Sequence, residues 1–132
     1  MIFDLSFGKI NIINNNIAEV LVDEGVIFTL EMCEEYDAFL LERFPEKFAI
    51  LNNKIHKFSY TYEANLHIAS LENLIAVAVV TYDKNSYLQS QNYKKLRLQD
   101  HWLLKEFSGF KMGREQALEW LEAVLADSMI KR

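Results

Sequence analysis

Three histidines, one cysteine and nineteen carboxylates are the groups in this 132-residue chain most able to do chemistry. His56, His67 and His101 share no metal-ligand spacing, and Cys33 is the single cysteine. A structural zinc or a Cys-x-x-Cys redox pair is therefore not expected, and no metal or cofactor is assigned. Cys33 falls on the apolar stripe of a predicted helix and reads as a small buried hydrophobe rather than a nucleophile. His56 follows a predicted strand, where open α/β sheets bind ligands, but no spacing brings it a carboxylate to orient it. Gly109 and Gly113 lack a following Lys-Ser/Thr, so they form no phosphate loop. The carboxylates cluster on helix exteriors, at Glu34-Glu35 and at Glu115, Glu119 and Glu122, where solvation explains them. The expectation is a protein that is not an enzyme.

A second set of residues invites a binding role. Phe58, Tyr60, Tyr62, Tyr82, Tyr87 and Tyr93 fall in or just beyond loops that follow predicted strands. Together with His56 they suggest a shallow aromatic cleft or a protein interface, where Tyr is enriched. The alternative is that these rings cover the sheet edge or fill the core. As an interface, Tyr60 and Tyr62 would tolerate alanine without loss of stability. Lys94-Lys95 and Arg97 add a small basic patch near the same end.

The elements that must position these groups follow from patterning. Lys9–Ile13 and Ile17–Val22 flank Asn14-Asn15-Asn16 and read as a β-hairpin. Thr29 is a predicted N-cap for a helix with Leu30, Cys33, Tyr36, Leu40 and Phe44 at helical spacing, stopped by Pro45. Lys47–Leu51 is a strand, and Tyr60–Ser70 a short helix with Leu66 and Ala69 inward. Leu74–Val80 is apolar on both faces and suits a central parallel strand. Ser86–Lys95 is a third helix, Trp102–Phe107 a last strand, and Arg114–Ala126 an amphipathic helix burying Ala117, Leu118, Leu121, Val124 and Leu125. The result is a single α/β domain over residues 1–132. Its sheet is mixed, mainly parallel and five-stranded, opened by a hairpin and accompanied by four helices.

Composition narrows the partners. Fourteen basic against nineteen acidic residues give a net charge of −5, which argues against nucleic acid. Apolar residues at 51% support a real core. The longest apolar run, Leu74–Val80, is far shorter than the roughly 20 residues of a membrane span. Met1-Ile2-Phe3-Asp4-Leu5 carries an acid where a secretory signal would be basic, so the expected location is cytoplasmic.

This element order resembles the STAS fold of the anti-sigma-factor antagonists over nearly the whole chain. More narrowly it is similar to small stand-alone bacterial STAS proteins, largely of unknown function and grouped partly by likeness to lipid-transfer domains. Asp23-Glu24-Gly25-Val26 leading into Thr29-Leu30-Glu31, the strand Ile75–Val80, and Glu115–Leu121 carry that similarity. The resemblance implies a regulatory protein-interaction module, with an unidentified protein or a second copy as partner. The alternative it implies is binding of a small apolar or lipid-like ligand. In the antagonists a Ser or Thr at a helix N-terminus, inside Asp-Ser-Ser/Thr-Gly, is the phosphoacceptor. The matching stretch is Lys57-Phe58-Ser59-Tyr60-Thr61-Tyr62. By this resemblance Ser59 or Thr61 stands near the phosphoacceptor position, but the Asp is missing and Tyr62 replaces the Gly. The plainer role for either residue is to cap the short helix.

Overall fold

In a computed structural model, which describes residues 1–67, 71–82 and 103–130, the chain forms a mixed α/β domain. Six strands make the main sheet: β1 (Ile2–Leu5), β2 (Gly8–Asn14), β3 (Ile17–Val22), β5 (Phe48–Lys54), β7 (Leu74–Thr81) and β8 (Leu103–Ser108), lying in that order. The first three form an antiparallel meander, and β3, β5, β7 and β8 are mutually parallel. A second, two-stranded parallel sheet joins β4 (Ile27–Phe28) to β6 (Ser59–Tyr60). The described α-helices are α1 (Leu30–Arg43), α2 (Tyr62–His67) and α3 (Gly113–Ile130), the last entered through a 3₁₀ turn at Gly109–Lys111.

The alternation of side chains builds two cores. Val20, Phe48, Ile50, Val77 and Val79 face α1 and α2, against Cys33, Tyr36, Leu40 and Ala64. Ile17, Ala49, Leu51, Ala76, Ala78 and Val80 face α3, against Ala117, Leu121 and Leu125. Small residues on that second face let α3 lie close to the sheet, and β5 and β7 are thereby buried on both sides. Thr29 caps α1 as its position predicts, its hydroxyl accepting from Met32 N–H at 3.3 Å. Asn14 closes the β2–β3 turn by accepting from Asn16 N–H at 2.9 Å.

Several expectations need correction. The main sheet has six strands, not five, because β1 pairs with β2 across a two-residue turn, Ser6-Phe7. Ile2–Leu5 is too short to show alternation and has no Asn or Gly in its turn, although Gly8 follows directly. The added strand gives two antiparallel pairings where one is expected, so three of the five pairings are parallel. The second helix begins at Tyr62 rather than Tyr60, because Ser59 and Tyr60 are held as β6 by Ile27 and Phe28. Leu66 is exposed on it and Ala64 is its buried residue. Three α-helices are described; the expected Ser86–Lys95 helix, like Ala69, Tyr93 and the Lys94-Lys95/Arg97 patch, lies outside the described residues.

Two glycines are set by backbone geometry in different ways. Gly8 has φ +153°, and a Cβ there would fall 2.2 Å from the carbonyl oxygen of Leu21. Gly25 has φ +79° with nothing within 4 Å of the same position. Gly8→Ala is expected to cost about 1–3 kcal/mol, since backbone must move. Gly25→Ala is expected to cost only the left-handed strain, about 1 kcal/mol. Urea unfolding of both variants checks this ranking, and a reversed order contradicts it.

Candidate functional site

The carboxyl ends of β5, β7 and β8 gather polar side chains on both faces of the sheet. On the α3 face, Glu19 of β3 is only 3% exposed. A buried carboxylate must find donors. Arg114, in the first turn of α3, supplies two in a bidentate pair, Nε to Oε2 at 2.8 Å and Nη2 to Oε1 at 2.9 Å. Asn53 donates from Nδ2 to Oε2 at 2.8 Å, and Asn11 from Nδ2 to Oε1 at 3.2 Å. Tyr82 then donates its hydroxyl to Oδ1 of Asn53 at 2.8 Å. Burial pushes the Glu19 carboxyl up, but these hydrogen bonds and the Arg114 charge outweigh it, holding the group below the usual carboxylate range. Burial likewise raises the phenol of Tyr82. With its acceptor sites filled, Glu19 is a clasp joining β2, β3, β5 and α3 rather than a free base.

On the α1 face, Lys54 is 3% exposed and lies over two rings, 5.3 Å from the centroid of Phe58 and 5.7 Å from that of Tyr60. Tyr60 packs against Phe28 and Phe58, at 5.6 and 5.3 Å between centroids. Its hydroxyl lies 3.5 Å from Nδ2 of Asn52, whose buried Oδ1 meets no donor among the described residues. A half-turn of that amide lets the hydroxyl donate to Oδ1. Burial pushes the Tyr60 phenol up to about 12, so it stays protonated.

The predicted site residues therefore separate. Phe58 and Tyr60 pack against the core, whereas Tyr62 is 66% exposed. Tyr82 bridges the two environments, its hydroxyl on Asn53 and its ring edge on Phe110. His56 is exposed in the β5–β6 loop, its Nδ1 3.9 Å from Glu24. That loop is tied down by Glu24 accepting from Lys57 N–H at 3.0 Å and by Gly25 N–H donating to Lys57 O at 2.7 Å. Ser59 is exposed on β6, and Thr61 caps α2 by accepting from Ala64 N–H at 3.2 Å. Tyr87 lies outside the described residues.

Sequence reasoning missed Glu19, Asn53 and Arg114 as a linked group, and, although a break at Ser108-Gly109 is expected before the last helix, it missed the exposed side chains that this turn carries. Glu19 sits inside Ile17–Val22, an otherwise apolar strand, and that interruption was the available signal. In the turn, Phe110 is 77% and Met112 69% exposed, and Met112 holds φ +58°, a rare conformation for a residue with a side chain. Gly109 is required because a Cβ there would fall 2.0 Å from the Tyr82 ring. Among the described residues no cluster of His, Cys, Asp and Glu could hold a metal, and no helix is long and apolar enough to cross a membrane. No family model matches the chain, and neither a curated protein nor a solved structure matches it.

Two substitutions test the clasp. Arg114→Met leaves the Glu19 charge buried and is expected to cost about 2–3 kcal/mol at neutral pH, the low end for a buried pair because Arg114 is partly exposed. Glu19→Gln keeps the shape and is expected to cost about 1–2 kcal/mol. The sign with pH follows from the lowered carboxyl. Its contribution is fully present above the unfolded value near about 4.3 and is lost as pH falls through the folded value. Urea midpoints of wild type and Glu19→Gln should therefore converge in acid, and a gap that stays constant down to strongly acid pH contradicts the assignment.

Proposed function

We propose that this chain is a non-catalytic regulatory module of STAS type that presents its carboxyl-end loops to a protein partner. The observation that carries the reading is the exposure there of large apolar side chains from separate segments. Ile27 follows β3, Ile55 follows β5, Tyr62 opens α2, and Phe110 and Met112 follow β8. Exposed apolar side chains brought by several segments to one end of a domain offer a partner area to bury. Met112 adds to this, because a left-handed backbone is maintained at some cost while its side chain faces water.

The chemistry beneath the surface supports a binding role over catalysis. The Glu19 carboxylate is saturated by four donors and the Tyr60 phenol is held protonated. Ser59 and Thr61 lie within the same end of the molecule, beside His56 and Lys57. A phosphoryl group on either would bring about −1.5 to −2 charges into an apolar surface and change what docks there.

Site-specific photo-crosslinking in the cells that make the protein tests the reading. A crosslinker at Phe110 or Tyr62 should yield one discrete protein adduct, and one at Leu103, exposed at the start of β8, should not. Failure of both carboxyl-end positions to yield an adduct overturns it. Met112→Gly should relieve the strain, raising stability by about 0.5–1 kcal/mol while reducing the adduct. Tyr62→Ala should change stability by less than about 0.5 kcal/mol, whereas Tyr60→Ala, which empties a packed position, should cost about 3–5 kcal/mol.

A further inference from the structure

The outer edge of β1 is open: β1 ends the strand order, and among the described residues no strand pairs with its far side. Met1 and Ile12 exchange both backbone hydrogen bonds, at 3.3 and 2.8 Å. An antiparallel ladder alternates such bonded pairs with non-bonded ones. Phe3 opposite Ile10 and Leu5 opposite Gly8 are then bonded pairs, and the N–H and C=O groups of Ile2 and Asp4 point away from β2. This outward pattern is symmetric about Phe3 and maps onto itself when the strand is reversed.

α1 carries a matching feature above the same residue. The Phe3 ring meets that of Phe39 at 5.3 Å, and the Arg43 guanidinium lies 4.3 Å from the Phe3 centroid. One turn before Phe39, Glu35 reaches the β1–β2 turn and accepts from Ser6 N–H at 3.2 Å. The stripe of α1 above the edge thus runs Glu35, Phe39, Arg43, with Glu42 beside Arg43 as a partly offsetting acid. Reversed about Phe39, the helix positions of the two charges exchange, so position 43 of one copy faces position 35 of the other; within one chain the Arg43 guanidinium rests on Phe3 and Glu35 is held by the Ser6 N–H and hydroxyl. Strand hydrogen bonding and helix charge are each self-complementary, and both centres of reversal lie at the Phe3–Phe39 contact.

We propose that two copies of this chain pair β1 against β1, antiparallel, joining their six-stranded sheets across a two-fold axis. Ile2 of each copy exchanges backbone hydrogen bonds with Asp4 of the other. The axis stands perpendicular to the sheet, so the two α1 helices lie on one face and flank the joint through Phe39, Arg43 and Glu35. Each copy offers this edge once, so the assembly closes at a dimer. The surface lies on a lateral edge of the sheet, and the proposal does not depend on the carboxyl-end loops.

Sedimentation equilibrium of the full chain, from micromolar to sub-millimolar concentration, tests it. Asp4→Pro deletes an N–H that points outward, so the monomer loses no ladder bond while the joint loses one on each side of the axis. The Asp4–Lys9 ion pair that it also removes is solvent-exposed. Wild type should dimerise with rising concentration, and Asp4→Pro should weaken the dimer at least about tenfold with its thermal midpoint retained. Arg43→Glu and Glu35→Lys should each weaken it, and the two combined should restore it. A wild-type protein that stays monomeric, or an Asp4→Pro variant that dimerises as tightly as wild type, overturns the proposal. If Asp4→Pro lowers the thermal midpoint, Ile2→Pro decides, since it removes the other outward N–H at an exposed position: a dimer weakened at least about tenfold supports the proposal, and a dimer as tight as wild type overturns it.

Discussion

A single buried carboxylate organises the carboxyl end of this fold. Glu19 sits in a strand covered on both faces, where an unpaired charge would be prohibitively expensive, and its four donors come from β2, β5 and α3. Arg114 can reach it only if α3 starts close to the sheet. That start fixes the turn leaving β8: Gly109 lies under the Tyr82 ring, Gly113 lies against the Ser108 carbonyl, and Met112 takes up a left-handed backbone between them. The turn that carries Phe110 and Met112 is thus positioned by a constraint set on β3, three strands away in the sheet.

The opposite face solves a similar problem with softer interactions. Lys54 ends β5 beneath the rings of Phe58 and Tyr60, and Asn52 meets the Tyr60 hydroxyl. The small β4–β6 sheet holds those rings in place, since Ile27 and Phe28 pair with Ser59 and Tyr60. Adjacent residues of β5 therefore serve different layers: Asn53 belongs to the Glu19 clasp, Asn52 and Lys54 to the aromatic cluster. Coupling between the two layers runs through one rigid strand, so a partner seated on the carboxyl-end loops would contact segments braced from both sides.

The aromatic residues after the strands show how far patterning reaches. Their positions in the sequence mark the carboxyl end of the sheet, and the structure places Phe58, Tyr60, Tyr62 and Tyr82 there. Which rings face water is a separate matter. Tyr60 and Tyr62 are two residues apart and look alike in the sequence, yet one packs on Phe28 and the other opens a helix into solvent. The difference arises because β6 pairs with β4, a contact between segments about thirty residues apart that leaves no local periodicity. The edge strand β1 escaped for a related reason: four residues carry too little alternation, and only pairing with β2 makes them a strand.

By itself the sequence determined what local physics controls. Thr29 as a cap, Asn14 at a turn, Pro45 beyond a helix end, the unbroken apolar run of β7 and the stripe of α3 each act within a few residues, so propensity and periodicity reveal them. The α/β class follows from their order. Tertiary structure alone decided the sixth strand, the small second sheet, the Glu19–Arg114 clasp and the outward turn of Phe110 and Met112. Glu19 and Arg114 are ninety-five positions apart, and no local preference records that a charge on one strand must meet a charge on a distant helix. That requirement appears only when burial removes water from both faces of the sheet and leaves each polar group to find a partner within the protein.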